Sequence, residues 1–212
     1  MTLCFLYAIL SPVKIITESR ILIMKEVTET KNKPKFTTYS LVLMALFAAV
    51  LCVSAYISIP LPNGSHITLL NFVVTLISLI FPLSEAFFIV LVWMLLGLCG
   101  VPVFIAGNAG PGYLFGQYGG FAFSFILVAI LVPLFRGAKY NRIRYTIVSV
   151  ISVCLVDVIG SFWIMFMSGC SIKTAFVVGF LPFIVLDLIK AVVAAQIVPP
   201  FRKLIYMHRA DN

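Results

Sequence analysis

Long apolar runs, separated by short polar or glycine-rich stretches, dominate the chain from residue 39 onward. Six of these runs have the length and hydrophobicity of membrane-spanning helices. They cover residues 39–59, 68–81, 84–99, 119–135, 145–167 and 176–198. The second and third runs are short and meet at Pro82, which suits a turn or a first helical turn. The pattern predicts an all-α integral membrane protein with six transmembrane helices.

Composition supports a membrane protein without a separate soluble domain. Of the 212 residues, 62% are hydrophobic and 10% are charged, whereas soluble domains carry about 25% charged residues. We expect an N-terminal cytoplasmic tail at 1–35, a membrane domain at 36–200 and a C-terminal cytoplasmic tail at 201–212. We also hypothesise that Met24 is the natural start and that residues 1–23 lie upstream of it, which the intact mass of the native protein tests.

The basic residues orient the predicted helices. The net charge is +8, and in membrane chains Lys and Arg concentrate at cytoplasmic ends. With the N-terminus inside, 13 of the 15 Lys and Arg residues fall in the two tails and in the loop 136–144. We therefore expect both termini inside, in the cell membrane of a prokaryote. In this setting the positive charge does not indicate nucleic-acid binding.

Two ionisable residues interrupt the last apolar run. Asp187 and Lys190 lie three residues apart, hence on one helical face, and each costs about 2.5–3.5 kcal/mol at the centre of a bilayer. They form either a structural ion pair or part of a solute site. Pro182 favours a helix that begins nearby, which would place both in its first turns near the outer surface. Asp157 is a third buried ionisable residue, either a partner for Lys190 or a hydrogen-bonding group within the bundle.

The segment from Gly97 to Phe123 contains eight glycines and no charge. Such glycine density prevents a continuous helix, and irregular backbone at membrane depth is tolerated where protein buries it or where it lines a cavity. We expect an extracellular-side loop between helices 3 and 4 that caps or lines a pocket. Its Asn108, Gln117 and Tyr118 suit recognition of a neutral polar ring. A loosely packed connector is the alternative.

Several sequence patterns are absent. The chain has no G-x-x-x-x-G-K-[ST], so it does not bind ATP in the P-loop manner. It has no G-x-S-x-G and no metal-ligand cluster, and we expect no enzymatic activity, cofactor or metal. Ala45 and Ala49 in the first run are small residues at a spacing that lets another helix approach closely, most simply within the same bundle.

Two motifs carry a resemblance to a known family. They are G-L-C-G-V-P-V-F at 97–104 and G-F-L-P-F-I-V-L-D-L-I-K-A at 179–191. With I-S-I-P-L-P after the first helix and G-G-F between the two motifs, the chain resembles the BioY family from about Ala45 to Ala195. These proteins are the substrate-binding (S) components of energy-coupling factor (ECF) biotin transporters. The resemblance implies a compact six-helix fold that binds biotin near the extracellular side.

The resemblance also implies partners and residue roles. The partners are a transmembrane coupling protein, on which Ala45 and Ala49 would dock, and two cytoplasmic ATPases. Biotin has a ureido ring, with two N–H donors and one acceptor that match Asp187 and Asn108, and a valerate carboxylate that matches Lys190. The remaining predicted substrate-binding residues are Gln117, Tyr118 and Asn71.

Two alternative functions stay open. Val185-Leu186 precede Asp187 where the family usually has Pro-Gly, so an S component for another vitamin or for a biotin precursor also fits. The alternative from another class is a structural or regulatory membrane protein without a ligand, in which Asp187 and Lys190 staple helices together. An uncharged glycine-rich loop is not needed for such a staple.

Overall fold

The structure, a computed structural model, describes residues 37–60 and 66–210, apart from the side chains of residues 204 and 206–210. Contacts divide the chain into two units, Met1–Leu41 and Val42–Asn212. All features below lie in the second unit, whereas residues 37–41 of the first contribute only the beginning of a helix. The predicted N-terminal tail and Met24 lie outside the described residues.

The described residues are mainly helical. The helices are α1 (Thr38–Ser54), α2 (Leu70–Ile80), α3 (Leu83–Leu98), α4 (Pro111–Leu114), α5 (Gly119–Arg136), α6 (Arg142–Ser168), α7 (Ile172–Gly179) and α8 (Leu181–Ala210), with a 3-10 turn at Ile105–Gly107. A short antiparallel hairpin joins α1 to α2 and consists of β1 (Ser58–Pro60) and β2 (His66–Thr68), with Ile59 opposite Ile67. The all-α prediction therefore holds for the bundle and missed this hairpin.

A helix lies at each of the six predicted positions, but the helices differ in length. By length and composition, three of the described helices can cross a membrane: α5, α6 and α8, the last over Leu181–Lys203. The apolar helices α1, α2 and α3 are shorter. With 11 residues, α2 is about 16 Å long, roughly half of the hydrocarbon thickness of a bilayer. The six-span count stays a prediction.

The shortest of these six helices is also the most enclosed. Ten of the 11 residues of α2 are buried, and the helix packs against α3, α5, α6 and α8. A helix enclosed on all sides by other helices lies in the interior of the protein rather than on its surface. The burial of α2 explains why its sequence is as hydrophobic as that of a membrane span.

The sixth predicted segment is two helices. The chain breaks at Phe180, and α8 begins at Leu181 with Pro182 in its first turn, as the proline predicted. At its other end α8 continues to Ala210, so residues 201–210 of the predicted C-terminal tail are helical. Arg202 is buried there and donates hydrogen bonds to the Tyr145 hydroxyl and to the Ala138 carbonyl.

Buried arginines close the end of the bundle that α8 reaches. Arg136 donates to the carbonyls of Leu79, Ile80 and Phe81 at the C-terminus of α2. The last carbonyls of a helix have no partner within it and carry partial negative charge. The Arg136 cation therefore supplies their missing hydrogen bonds and compensates their charge. Because Arg136 ends α5, this basic end is about 25 Å from the start of that helix.

Glycines let α5 and α6 approach closely. A Cβ on Gly120 would lie 2.2 Å from the Cβ of Trp163, and a Cβ on Gly160 would lie 2.2 Å from the ring of Phe121. Neither distance is compatible with the present packing. Close helix contact through small residues is typical of membrane proteins, where packing drives association. The two glycines therefore set the spacing of α5 and α6.

We expect Gly120→Ala to lower the free energy of unfolding by about 1–3 kcal/mol, the usual cost of overpacking. The matched control is Gly112→Ala, because a Cβ at Gly112 meets no atom within 4 Å. Thermal unfolding of both variants in detergent measures the difference. Equal melting temperatures for the two variants would contradict the packing argument.

Candidate functional site

A cavity of about 430 Å³ lies at the end of the bundle opposite the buried arginines. Its walls come from the first turns of α2, α5 and α8, the second half of α6, strand β2 and the glycine-rich segment. Phe121, Phe125, Val156 and Phe183 provide much of its apolar surface. Its polar lining consists of His66, Thr68, Asn71, Asn108, Tyr113, Gln117, Tyr118, Asp157 and Asp187. This size and composition are typical of a small-molecule site.

The structure brings most of the predicted substrate-binding residues together. Five of the six line the cavity, namely Asn71, Asn108, Gln117, Tyr118 and Asp187. The sixth, Lys190, does not line the cavity but forms an ion pair with Asp187, which does. No sequence pattern indicated His66 as a site residue, and the sequence left the role of Asp157 open. The only available signal for Asp157 was its charge within an apolar run.

Asp187 holds a short polar network together. The ammonium of Lys190 lies 2.8 Å from Asp187 Oδ1 and 2.8 Å from the carbonyl oxygen of Thr68. Asn71 Nδ2 donates to Asp187 Oδ2 over 2.7 Å. The ion partner of Lys190 is therefore Asp187 rather than Asp157. Both oxygens of Asp187 are engaged by protein groups, and the network links α8 to α2 and β2.

Two acceptor atoms at the cavity have no such partner. Asn71 Oδ1 and Asp157 Oδ2 are buried, and neither forms a hydrogen bond within residues 37–60 and 66–210. A buried acceptor without a donor costs about 1–3 kcal/mol. Both residues line the same cavity, but these two atoms are buried rather than exposed to it.

Two indole groups anchor the glycine-rich segment. Trp93 of α3 donates to the carbonyl of Val103 over 2.9 Å, and Trp163 of α6 donates to the carbonyl of Gly116 over 2.9 Å. Within the segment, the Gly110 amide donates to the Gly97 carbonyl over 2.7 Å. The two tryptophans thus hold this wall in place. The segment is an ordered part of the cavity and not a loose connector.

Aromatic contacts fasten the same segment to α3. The Phe104 ring packs directly against Gly97, where a Cβ would lie 2.2 Å from it. It makes an edge contact with Trp93 at 5.3 Å and stacks on Tyr113 at 4.9 Å. Burial, and secondarily the neighbouring Tyr118, raises the pKa of the Tyr113 phenol, so this hydroxyl is neutral at physiological pH. Tyr113 therefore adds no negative charge to the cavity.

The small residues of α1 do not all serve the internal packing. Ala48 is buried, whereas Ala45 and Ala49 are exposed on the outside of the helix. Leu46 and Val53, also exposed, extend this apolar surface. The simplest interpretation of the Ala45 and Ala49 spacing, contact within the bundle, is therefore not supported by the described residues.

Comparison with known proteins places the chain in a family. The model of the BioY family matches residues 27–206. This chain belongs to the BioY family. Biotin transporter BioY2 of Lactococcus lactis subsp. cremoris (strain MG1363) is 35% identical over 155 residues, which cover 73% of this chain and 85% of that protein. Biotin transporter BioY of Thermotoga maritima is 35% identical over 164 residues, covering 77% of this chain and 96% of that protein.

A solved structure supports the same assignment. The crystal structure of the S-component for biotin from an ECF-type ABC transporter superposes with a TM-score of 0.71 at 26% sequence identity. The match covers 78% of this chain and 91% of that one. The resemblance noted from the sequence motifs is confirmed. The BioY fold here is therefore that of a membrane transport subunit and not that of an enzyme.

We expect the Asp187–Lys190 pair to contribute measurably to the stability of this BioY protein. Lys190→Met leaves Asp187 buried without its cation, which costs about 3–5 kcal/mol for a fully buried pair. The lower end applies because the Lys190 side chain is 20% exposed. Combined with Asp187→Asn, the loss should fall short of the sum of the two single losses by about 0.5–3 kcal/mol. Chemical unfolding in detergent gives the free energy of unfolding of the two single variants and of the double variant. If the two single losses simply add in the double variant, the pairing is contradicted.

Proposed function

We propose that this protein is the biotin-binding S component of an ECF-type vitamin uptake transporter and that biotin binds in the 430 Å³ cavity. The similarity of its membrane domain to a solved S-component for biotin carries the proposal. The named BioY relatives, which are biotin transporters, support it. A structural or regulatory protein without a ligand would need neither the cavity nor its convergent polar groups.

The chemistry of the cavity suits biotin. The fused rings of biotin combine an apolar thioether half with a ureido half that has two N–H donors and one acceptor. Phe121, Phe125 and Phe183 offer apolar surface for the first half. We assign ligand binding to the six residues that the sequence indicated: Asp187, Lys190, Asn108, Gln117, Tyr118 and Asn71. Asp187 and Lys190 act as one unit, because the 2.8 Å ion pair holds them together.

We also propose that the cavity faces the outside of a prokaryotic cell. The cavity lies where α2, α5 and α8 begin, and buried Arg136 and Arg202 lie at the other end of the bundle. Basic residues favour the cytoplasmic side of membranes. A multi-pass arrangement with both termini inside follows, so that biotin is captured from the extracellular side.

Transport requires an energy source from partners. The sequence has no P-loop motif for ATP, so we propose that a transmembrane coupling protein and two cytoplasmic ATPases energise the chain. The exposed Ala45 and Ala49 on α1 form the proposed docking surface. Small side chains permit the close helix contact that association within a membrane depends on.

Calorimetry with biotin on the purified protein in detergent tests the function. We expect the unmodified chain to bind biotin, and Asp187→Asn or Lys190→Ala to weaken binding by more than about tenfold, because each breaks a buried charged contact. The matched control is Lys173→Ala, which removes the same side chain from an exposed position on α7 and should leave the affinity unchanged.

Folding of each variant is verified by its melting profile before titration. Unchanged affinity of folded Asp187→Asn and Lys190→Ala would refute the assignment of these two residues. Absence of biotin binding by the unmodified chain would refute the function itself. Displacement of a co-purified ligand by another vitamin or by a biotin precursor, but not by biotin, would support the related S-component alternative.

We expect the double substitution Ala45→Leu with Ala49→Leu to prevent co-purification with the coupling protein and its ATPases, because the added side chains separate the helices. Biotin affinity should not change, since neither residue lines the cavity. Val92→Phe is the control, because it adds bulk at an exposed position on α3 rather than on α1. Normal assembly of the double variant would place the docking surface elsewhere.

A further inference from the structure

An apolar groove of about 360 Å³ lies on the surface of the bundle between α5 and α6. Its lining residues are Val128, Leu131, Val132, Phe135, Val148, Ile151, Ser152 and Leu155. Ser152 is the one polar residue of this lining, and its hydroxyl already donates to the Ser149 carbonyl over 2.8 Å. The groove shares no lining residue with the cavity described above. Its surface therefore suits a hydrocarbon.

The distribution of glycine explains why the groove forms at one end of this helix pair. Gly120 and Gly160 bring α5 and α6 into contact in the half that borders the cavity. From 121 to 136 and from 142 to 159 the two helices contain no glycine, so neither helix offers the same close approach there. The buried floor of the groove includes Val128 and Val132, whereas Phe135 and Ile151 are 60% and 58% exposed at its rim.

Arg144 lies where the groove reaches the basic end of the bundle. Its Nε donates to the carbonyl of Phe135, a groove residue, over 2.8 Å. Its guanidinium also packs against Gly137, where a Cβ would lie 3.1 Å from Nη1. Arg144 is exposed, and its two terminal nitrogens form no hydrogen bond or ion pair with the described residues. These contacts hold the guanidinium in place and leave its outer edge available to an anion.

Periodicity and charge join Arg144 to the groove. Arg144, Val148, Ile151 and Leu155 recur at intervals of three or four residues, so they share one face of α6. The turn 136–144 contains four basic residues and no acidic one. The same surface thus combines a cationic end with an apolar channel.

We propose that the groove binds one acyl chain of an anionic phospholipid, with the phosphate of the headgroup at Arg144. From Val128 to Phe135 the groove extends about 10 Å along α5, within the depth of one leaflet of a bilayer whose hydrocarbon core is about 30 Å thick. A guanidinium donates two parallel hydrogen bonds to a phosphate. Anionic lipids of the cytoplasmic leaflet attract basic segments that lie next to membrane-spanning helices.

A lipid is the occupant that uses both parts of this surface. A soluble phosphate would meet Arg144 but leave the groove unfilled. An apolar segment of a protein would fill the groove but leave the basic turn without a counter-charge. The inference is independent of biotin binding, and its assignment to the cytoplasmic leaflet rests on the orientation proposed above.

Native mass spectrometry of the purified protein in detergent tests the headgroup contact. The probes are phosphatidylglycerol, which is anionic, and phosphatidylcholine with the same acyl chains, which has no net charge. The unmodified protein should bind phosphatidylglycerol about tenfold more tightly, the effect of a hydrogen bond to a charged group. Arg144→Gln should remove this preference. The matched control is Arg142→Gln, which removes an exposed cation two residues away and should retain the preference.

A second pair of variants tests the groove. Leu131→Trp fills it and should weaken the binding of both lipids by about tenfold or more, because the acyl chain loses buried apolar contact. Leu134→Trp is the matched control, since it makes the same change on α5 at a position that is 58% exposed and outside the groove. It should leave both affinities unchanged. Should Leu131→Trp fail to melt cooperatively, Leu155→Phe serves in its place.

Three results would overturn the inference: equal affinity of the unmodified protein for the two lipids, equal loss of preference in Arg144→Gln and Arg142→Gln, or normal lipid binding by folded Leu131→Trp. Displacement of phosphatidylglycerol by sn-glycerol 3-phosphate, which has the phosphate but no acyl chain, would reassign Arg144 to a soluble anion and also overturn it. Loss of co-purification with the coupling protein in Leu131→Trp, with lipid binding intact, would make the groove a protein-docking surface instead. None of these results bears on biotin binding, which calorimetry measures separately.

Discussion

The protein depends on one constraint: a charged or polar group buried away from water is costly unless other protein groups satisfy it. Asp187 meets this constraint through Lys190 on its own helix and Asn71 on α2. Lys190 in turn binds the Thr68 carbonyl. These contacts fix α8 against α2 and β2, and thereby define one wall of the cavity. The charges that oppose membrane insertion thus become the contacts that hold the site together.

The same constraint explains the glycine-rich wall and the basic end. Irregular backbone persists between α3 and α5 because the indoles of Trp93 and Trp163 satisfy carbonyls that no helix uses. At the other end, Arg136 satisfies the last carbonyls of α2. Cavity and basic end therefore lie on opposite sides of the bundle.

Much of the fold and part of the site could be predicted from local signals. Hydrophobic length located the helices, and Pro182 located the start of α8, because a proline constrains its own turn. Glycine density identified the cavity wall, since it excludes a helix whatever the surroundings. The sequence indicated that Asp157 is a buried charge but not that it lines the cavity. Helical periodicity shows which residues share a face of a helix, but not which part of the protein that face contacts. His66 had no such signal, because it lies outside the apolar runs.

The sequence by itself determined the class of protein, the clustering of its basic residues, the uncharged loop and the BioY motifs, because composition and short-range spacing carry this information. Only the tertiary structure decided the roles of individual polar groups. Asn71 and Asp187 are 116 residues apart, and Lys190 and Thr68 are 122 apart. Packing of α8 against α2 brings these groups together, turns Lys190 to the back of Asp187 and leaves Asp157 in the wall. Pairing across such separations depends on the relative placement of helices, which no local pattern specifies.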